Sequence, residues 1–181
     1  MLKRIIESEM LIPITDFHKT EKNKERLLKS TVLLGILTII NIVMFKYSSL
    51  LSIDEYNSFV LNYTDVILDI AALLLSFSIG YLTIIVSSEG RNIDNLKKYK
   101  TNIKIDNQNI SLYQKLLVLL TYTICLEIIL LVDLLLYRFI FEMINIIIKN
   151  LFFSLNVTLL LNIISIIFVT VKNIYLSFFK K

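Results

Sequence analysis

The 181-residue sequence contains one cysteine, one proline, three glycines and one histidine. Each scarcity excludes a class of protein. With Cys125 alone, neither an intrachain disulfide nor a thiolate metal site is possible. His18 is the lone imidazole and lies far along the chain from the acids described below. No Ser-His pair, HExxH helix, Gly-rich phosphate loop or Cys/His metal spacing can be assembled. Glycine and proline are also too few to break a soluble core into elements every ~10–15 residues. No catalytic residue, cofactor site or metal site is expected, and the chain does not read as an enzyme. Asp69 and Asp133 offer two acids from different apolar runs, but their flanks (ILDIA and LVDLL) carry no aspartyl-protease signature.

What the chain has instead is apolar length. Apolar residues make up 56% of it and the mean hydropathy is +0.72, against roughly 45–50% apolar in soluble domains. The excess sits in four blocks, each close to the ~20 residues needed to cross hydrocarbon. The predicted fold class is an all-α membrane protein, a bundle of four transmembrane helices. Residues 1–26 read as a basic, amphipathic N-terminal segment, 27–51 as the first span and 52–65 as an acidic, aromatic outer loop. The second span is placed at 66–86, a basic loop at 87–115, the third span at 116–141 and a short outer turn at 142–150. The fourth span is 151–171, and 172–181 form a tail. In MLKRIIESEMLIPI, Leu2, Ile5, Ile6 and Met10 fall on one side and Lys3 and Glu7 on another, so a short surface helix ended by Pro13 is expected.

Basic residues set the orientation of such a bundle. Seven lie in the first 29 residues, six between Arg91 and Lys115, and three in the tail, leaving Lys46, Arg138 and Lys149 for the opposite side. Both termini and the middle loop are therefore expected in the cytoplasm, with the chain in the plasma membrane. Lys22, Lys24, Arg26, Lys97, Lys98, Lys100 and Lys104 are candidate contacts for anionic inner-leaflet lipid or a soluble partner. Glu21, Glu25, Asp94 and Asp106 interleave with them, which argues against nucleic acid.

The spans carry polar stripes. At 100° per residue, Asp69, Ala72, Ser76, Gly80, Thr83 and Ser87 share one face of span two, and Ser154, Thr158, Asn162 and Ser165 share one of span four. The Ala72-Ser76-Gly80 spacing suits close helix approach, so both stripes read as packing seams, with a water-lined path as the sharper alternative. More seam is present than four helices can bury, hence an expected homo-oligomer. Span three holds Glu127, Asp133 and Arg138. Glu127 falls near the midplane, where an ionised acid costs roughly 2.5–3.5 kcal/mol. Arg138 is placed to pair with Glu142, four residues on, or to join an Asp69–Arg138–Asp133 cluster. Each acid is a candidate functional group, with a structural polar clamp as the alternative.

The whole plan resembles the small four-span membrane subunits of bacterial defence systems, of the kind found in the Kiwa anti-phage system (KwaA-like), and secondarily bacteriocin immunity proteins. The resemblance rests on length, four spans, the outward SIDEYNSF segment and the inner EKNKERLLK and KKYKTNIK segments. It implies a non-enzymatic membrane sensor or scaffold that works with a soluble cytoplasmic effector. An ion channel or proton-coupled carrier using Glu127 is the alternative from another class, and a toxin-immunity protein is the third.

Overall fold

In hydrocarbon a backbone has no hydrogen-bond partner but itself, so apolar runs of this length must be helical. A computed structural model describes residues 12–21, 23–105 and 107–179. Its four long helices, α2 (Asn23–Ser48), α3 (Ile53–Ser87), α5 (Leu112–Ile140) and α6 (Ile146–Phe179), are each apolar and long enough to cross a membrane. They form the expected four-helix membrane bundle. Among the described residues the shorter elements are α1 (Ile12–Thr20), α4 (Arg91–Lys98), the strands β1 (Lys100–Ile105) and β2 (Gln108–Ser111), and a 3-10 turn (Phe141–Met143) after α5.

The helices outrun the hydropathy signal. α3 has 35 residues, roughly 50 Å at 1.5 Å per residue, whereas the hydrocarbon core is about 30 Å thick. Of residues 52–65, expected as an outer loop, 53–65 are instead the first turns of α3. The cause is local. Ser52 N–H and Oγ both donate to the Glu55 carboxylate (3.0 and 2.7 Å), and Glu55 N–H donates back to Ser52 Oγ (3.3 Å). This reciprocal cap satisfies helix-start donors that hydropathy does not detect. Ser111 and Gln114 cap α5 the same way, at 2.8 and 3.2 Å. Asn145 Oδ1 accepts from Ile148 N–H (3.0 Å) at the start of α6, which shrinks the expected 142–150 turn to a few residues. The tail, expected outside the span from residue 172, continues α6 to Phe179.

Pro13 sits in the first turn of α1, where a missing N–H costs nothing. The expected surface helix over the residues before it lies outside the described residues. One further expectation is corrected: the 87–115 segment is not an open loop. Gly90, at φ 128, turns the chain into α4. The antiparallel β1–β2 hairpin follows, pairing Lys104 with Asn109 and Ile105 with Gln108 around Asn107 at φ 66.

The described residues divide into two compact units, to each of which α3, α5 and α6 contribute a part. One draws on Met1–Arg26, Phe77–Cys125 and Ser165–Lys181. In it, Phe17 of α1 is buried and stacks on Tyr122 of α5 (centroids 3.8 Å apart, 6° between planes). Leu96 of α4, Ile110 of β2 and Leu116, Leu119 and Leu120 of α5 are buried as well. Along β1, Thr101, Ile103 and Ile105 are half-buried while Lys100, Asn102 and Lys104 are exposed.

The other unit comprises Leu27–Ser76 and Leu126–Ile164. Its core is Met44, Tyr56, Val60, Tyr137, Phe141 and Phe153, one side chain from α2, two from α3, and the rest from α5, the turn after it and α6. Met44 is the buried side chain among those described in α2. That helix is attached near its C-terminal end. Toward Ser30, it is separated from α6 by a groove of about 470 Å³ lined by Ser30, Leu33, Leu34, Leu37, Leu155, Thr158, Leu159 and Asn162.

Candidate functional site

The second unit holds most of the buried polar chemistry, in two groups. The first gathers where α3 and α6 begin. Tyr56 Oη donates to Asn150 Oδ1, and Asn150 Nδ2 lies 3.5 Å from Ser48 Oγ. Tyr137 Oη donates to the Lys149 carbonyl at 3.1 Å. Lys149 itself is 7% exposed. Its Nζ donates to Asn57 Oδ1 at 3.0 Å and stands 4.0 Å from the centre of the Phe141 ring. A buried ammonium ordinarily requires a carboxylate; here an amide oxygen and a ring face carry it. Four elements thus meet through side-chain hydrogen bonds and one cation.

Arg138 lies beside this group and pairs with Asp65 of α3. That corrects both expected partners, Glu142 and the Asp69–Asp133 cluster. Arg138 and Asp65 remain half-exposed (50% and 45%), so the long guanidinium reaches outward to an acid rather than deeper into hydrocarbon. Asp69, one turn further along α3, is exposed, as is Glu142.

The second group lies between α5 and α6. Asp133 faces Asn156, but the Asp133 Oδ2 atom is sealed from solvent and without a hydrogen bond, and so are both side-chain atoms of Asn156. Asn156 is 1% exposed and Glu127 is fully buried. Ser154 and Thr158, also buried, donate to the carbonyls of Asn150 and Ser154 on their own helix, both at 2.7 Å. Their hydroxyls are thereby satisfied without a neighbouring helix.

The structure separates the two small-residue stripes. On α6, Ser154 and Thr158 are buried, Asn162 lines the groove and Ser165 is exposed. On α3, Ala72, Ser76, Gly80 and Thr83 are all exposed, and no atom comes within 4 Å of where a Gly80 Cβ would stand. The α3 stripe is therefore not a packing seam within the chain.

Of the basic candidates, Lys97, Lys98, Lys100 and Lys104 are exposed on α4 and β1, and Lys97 Nζ stands 5.3 Å over the Tyr113 ring. Arg26 is exposed and Lys24 lies in the first turn of α2; Lys22 lies outside the described residues. Among the described residues no group of three or more His, Cys, Asp or Glu is placed to hold a metal ion.

Sequence reasoning missed Asn156, Lys149, Asn57, Asn150 and Asp65. Asn156 had a signal, a full amide in the middle of LFFSLNVTLLL. It falls off the longer Ser154–Ser165 stripe, and the stripe drew the attention. No known protein family, curated protein or solved structure matches the chain.

Proposed function

We propose that this protein is a non-enzymatic scaffold and sensor of the bacterial inner membrane that recruits a soluble effector to its termini-bearing face. The observation that supports this most is the folded state of residues 91–111. A loop with no task needs no structure, yet here the hairpin packs through β1 on α1 and through β2 on α4, and Lys97 of α4 stands over the Tyr113 ring at the start of α5. They hold Lys97, Lys98, Lys100 and Lys104 on an exposed, ordered surface. Fixed positive charge steers acidic partners and sets their register.

In this reading the positive-inside pattern puts that surface in the cytoplasm. The likeness to Kiwa-type subunits supplies the setting, detection of envelope disturbance during phage attack. The exposed α3 stripe of Ala72, Ser76 and Gly80 joins copies of the chain in a homo-oligomer.

The test is purification of the tagged protein from its native cells in mild detergent, with the intact assembly sized. A soluble protein should co-purify in fixed ratio with an oligomer. Reversing Lys97, Lys98, Lys100 and Lys104 to Glu together should release it while the membrane protein stays monodisperse. An oligomer that emerges alone, or a partner indifferent to the four reversals, overturns the reading.

A further inference from the structure

Asp133 and Asn156 form an incomplete pair inside the membrane. They face each other from α5 and α6 at the long end of hydrogen-bond range, and at ordinary bonding distance Asp133 Oδ2 and both polar atoms of the Asn156 amide have no partner. Asn156 is 1% exposed with both its oxygen and its nitrogen unsatisfied. Leaving an amide unpaired in an apolar medium is costly, and native proteins almost always avoid it. A facing carboxylate and amide that satisfy each other this poorly call for a third partner.

Charge decides what that partner is. Arg138 is engaged by Asp65, and Lys149 by Asn57 and the Phe141 ring. The other ionisable groups that α5 and α6 contribute to this unit are Glu127 and Tyr137, neither of them a cation. Asp133 therefore lacks one positive charge.

We infer that Asp133 and Asn156 together form a binding site for one small monovalent cation, either a proton or a sodium-sized alkali ion. The Asn156 amide suits both states of such a site. In the loaded state its Oδ1 accepts from the protonated carboxyl, or ligates the metal ion alongside Asp133. In the empty state its Nδ2 donates to the bare carboxylate. Loading thus changes the hydrogen bond that links α5 to α6. A divalent ion is the wrong guest, because it draws on several charged oxygens and no such cluster occurs among the described residues.

The probe is dicyclohexylcarbodiimide, which reacts with protonated carboxyls in apolar surroundings, on the full chain in lipid nanodiscs. Peptide mass spectrometry separates Asp133 from Glu127. In choline chloride, labelling of Asp133 should fall as pH rises, because only the protonated carboxyl reacts. If sodium chloride protects Asp133 in a saturable way, the guest is the alkali ion; if sodium has no effect, it is the proton. Asn156→Leu should then weaken sodium protection about tenfold, as the loss of one partner of a bound ion does, or move the labelling midpoint by about one pH unit. Labelling that ignores both pH and sodium, or an Asp133 that never labels, overturns the inference. So does an Asn156→Leu protein with an unchanged midpoint and unchanged protection. The wild-type dependence stands as a test even where the variant does not fold.

Discussion

The Tyr56 hydroxyl of α3 donates to the Asn150 side chain of α6 across 94 positions of sequence. Both residues are at most 1% exposed and sit in the first turns of their helices. The bond therefore locks two helix starts together in a setting that water does not reach.

Its removal has a defined signature. Tyr56→Phe keeps the ring in the Met44–Val60–Phe153 cluster and leaves the Asn150 oxygen buried without its donor. An orphaned buried acceptor costs about 1–3 kcal/mol. The thermal midpoint in detergent should drop by several degrees. Combining Tyr56→Phe with Asn150→Leu should cost less than the two single changes added, with a coupling near ~0.6–1.7 kcal/mol. Additive losses would mean the two groups act separately.

The Arg138–Asp65 pair predicts a swap. Both side chains are half-exposed, so the pair adds no more than about 1 kcal/mol of stability. Arg138→Asp alone places two acids together and should lower the yield of folded protein. Adding Asp65→Arg should restore it, by gel filtration in detergent. Asp69→Asn and Glu142→Gln should be silent in the same assay, since neither side chain reaches Arg138.

How far these partners were legible depends on what kind of signal each feature leaves. The spans were plain, because roughly 20 apolar residues in a row have few other uses. The extra turns of α3 were not, because a helix in water or among headgroups needs no apolar run. Its signal was the Ser52-x-x-Glu55 cap, four residues long and easily passed over beside an acidic, aromatic stretch. The hairpin lies in a segment whose dominant signal is charge, although Thr101, Ile103 and Ile105 alternate with period two and Asn107 marks the turn. The choice of α3 over Glu142 follows from which helices neighbour each other, and that of Asp65 over Asp69 from their relative height, neither of which a single stretch of sequence carries. Asn156 was the costliest omission, because a lone polar residue off a stripe leaves no periodicity to find.

The hairpin turn gives a backbone prediction. Asn107 adopts φ 66, a left-handed conformation that costs most residues about 1–2 kcal/mol. Asn107→Gly should be neutral or slightly stabilising. Asn107→Val, branched at Cβ, should loosen β1 and β2. Limited proteolysis between residues 98 and 112 reads this directly: faster cleavage in the valine variant, and none of that acceleration in the glycine variant.

The exposed α3 face makes the oligomer testable without disturbing the chain's own packing. Because nothing stands within 4 Å of a Gly80 Cβ, Gly80→Leu should leave the thermal midpoint of the single chain unchanged. Close helix approach through Ala72, Ser76 and Gly80 cannot tolerate a leucine. Light scattering on the purified variant should therefore report a smaller assembly than wild type. An unchanged mass would remove this face from the proposal.

Lys149 supplies the sharpest test of energetics, because its cation is buried with an amide and a ring but no acid. Breaking a buried charge's support costs more than removing the charge. Asn57→Leu leaves the ammonium with the Phe141 ring alone, and loss of a hydrogen bond to a charged group costs about 1.5–3 kcal/mol. Lys149→Met removes the charge and keeps most of the stem's packing, so its cost should be small or even favourable. The double variant, with neither charge nor amide, should recover most of what Asn57→Leu loses. Thermal midpoints of the three proteins in one detergent decide it. If Lys149→Met is the most damaging, the cation is needed where it stands, as a counter-charge for a group that the hydrogen bond to Asn57 and the Phe141 ring contact do not explain.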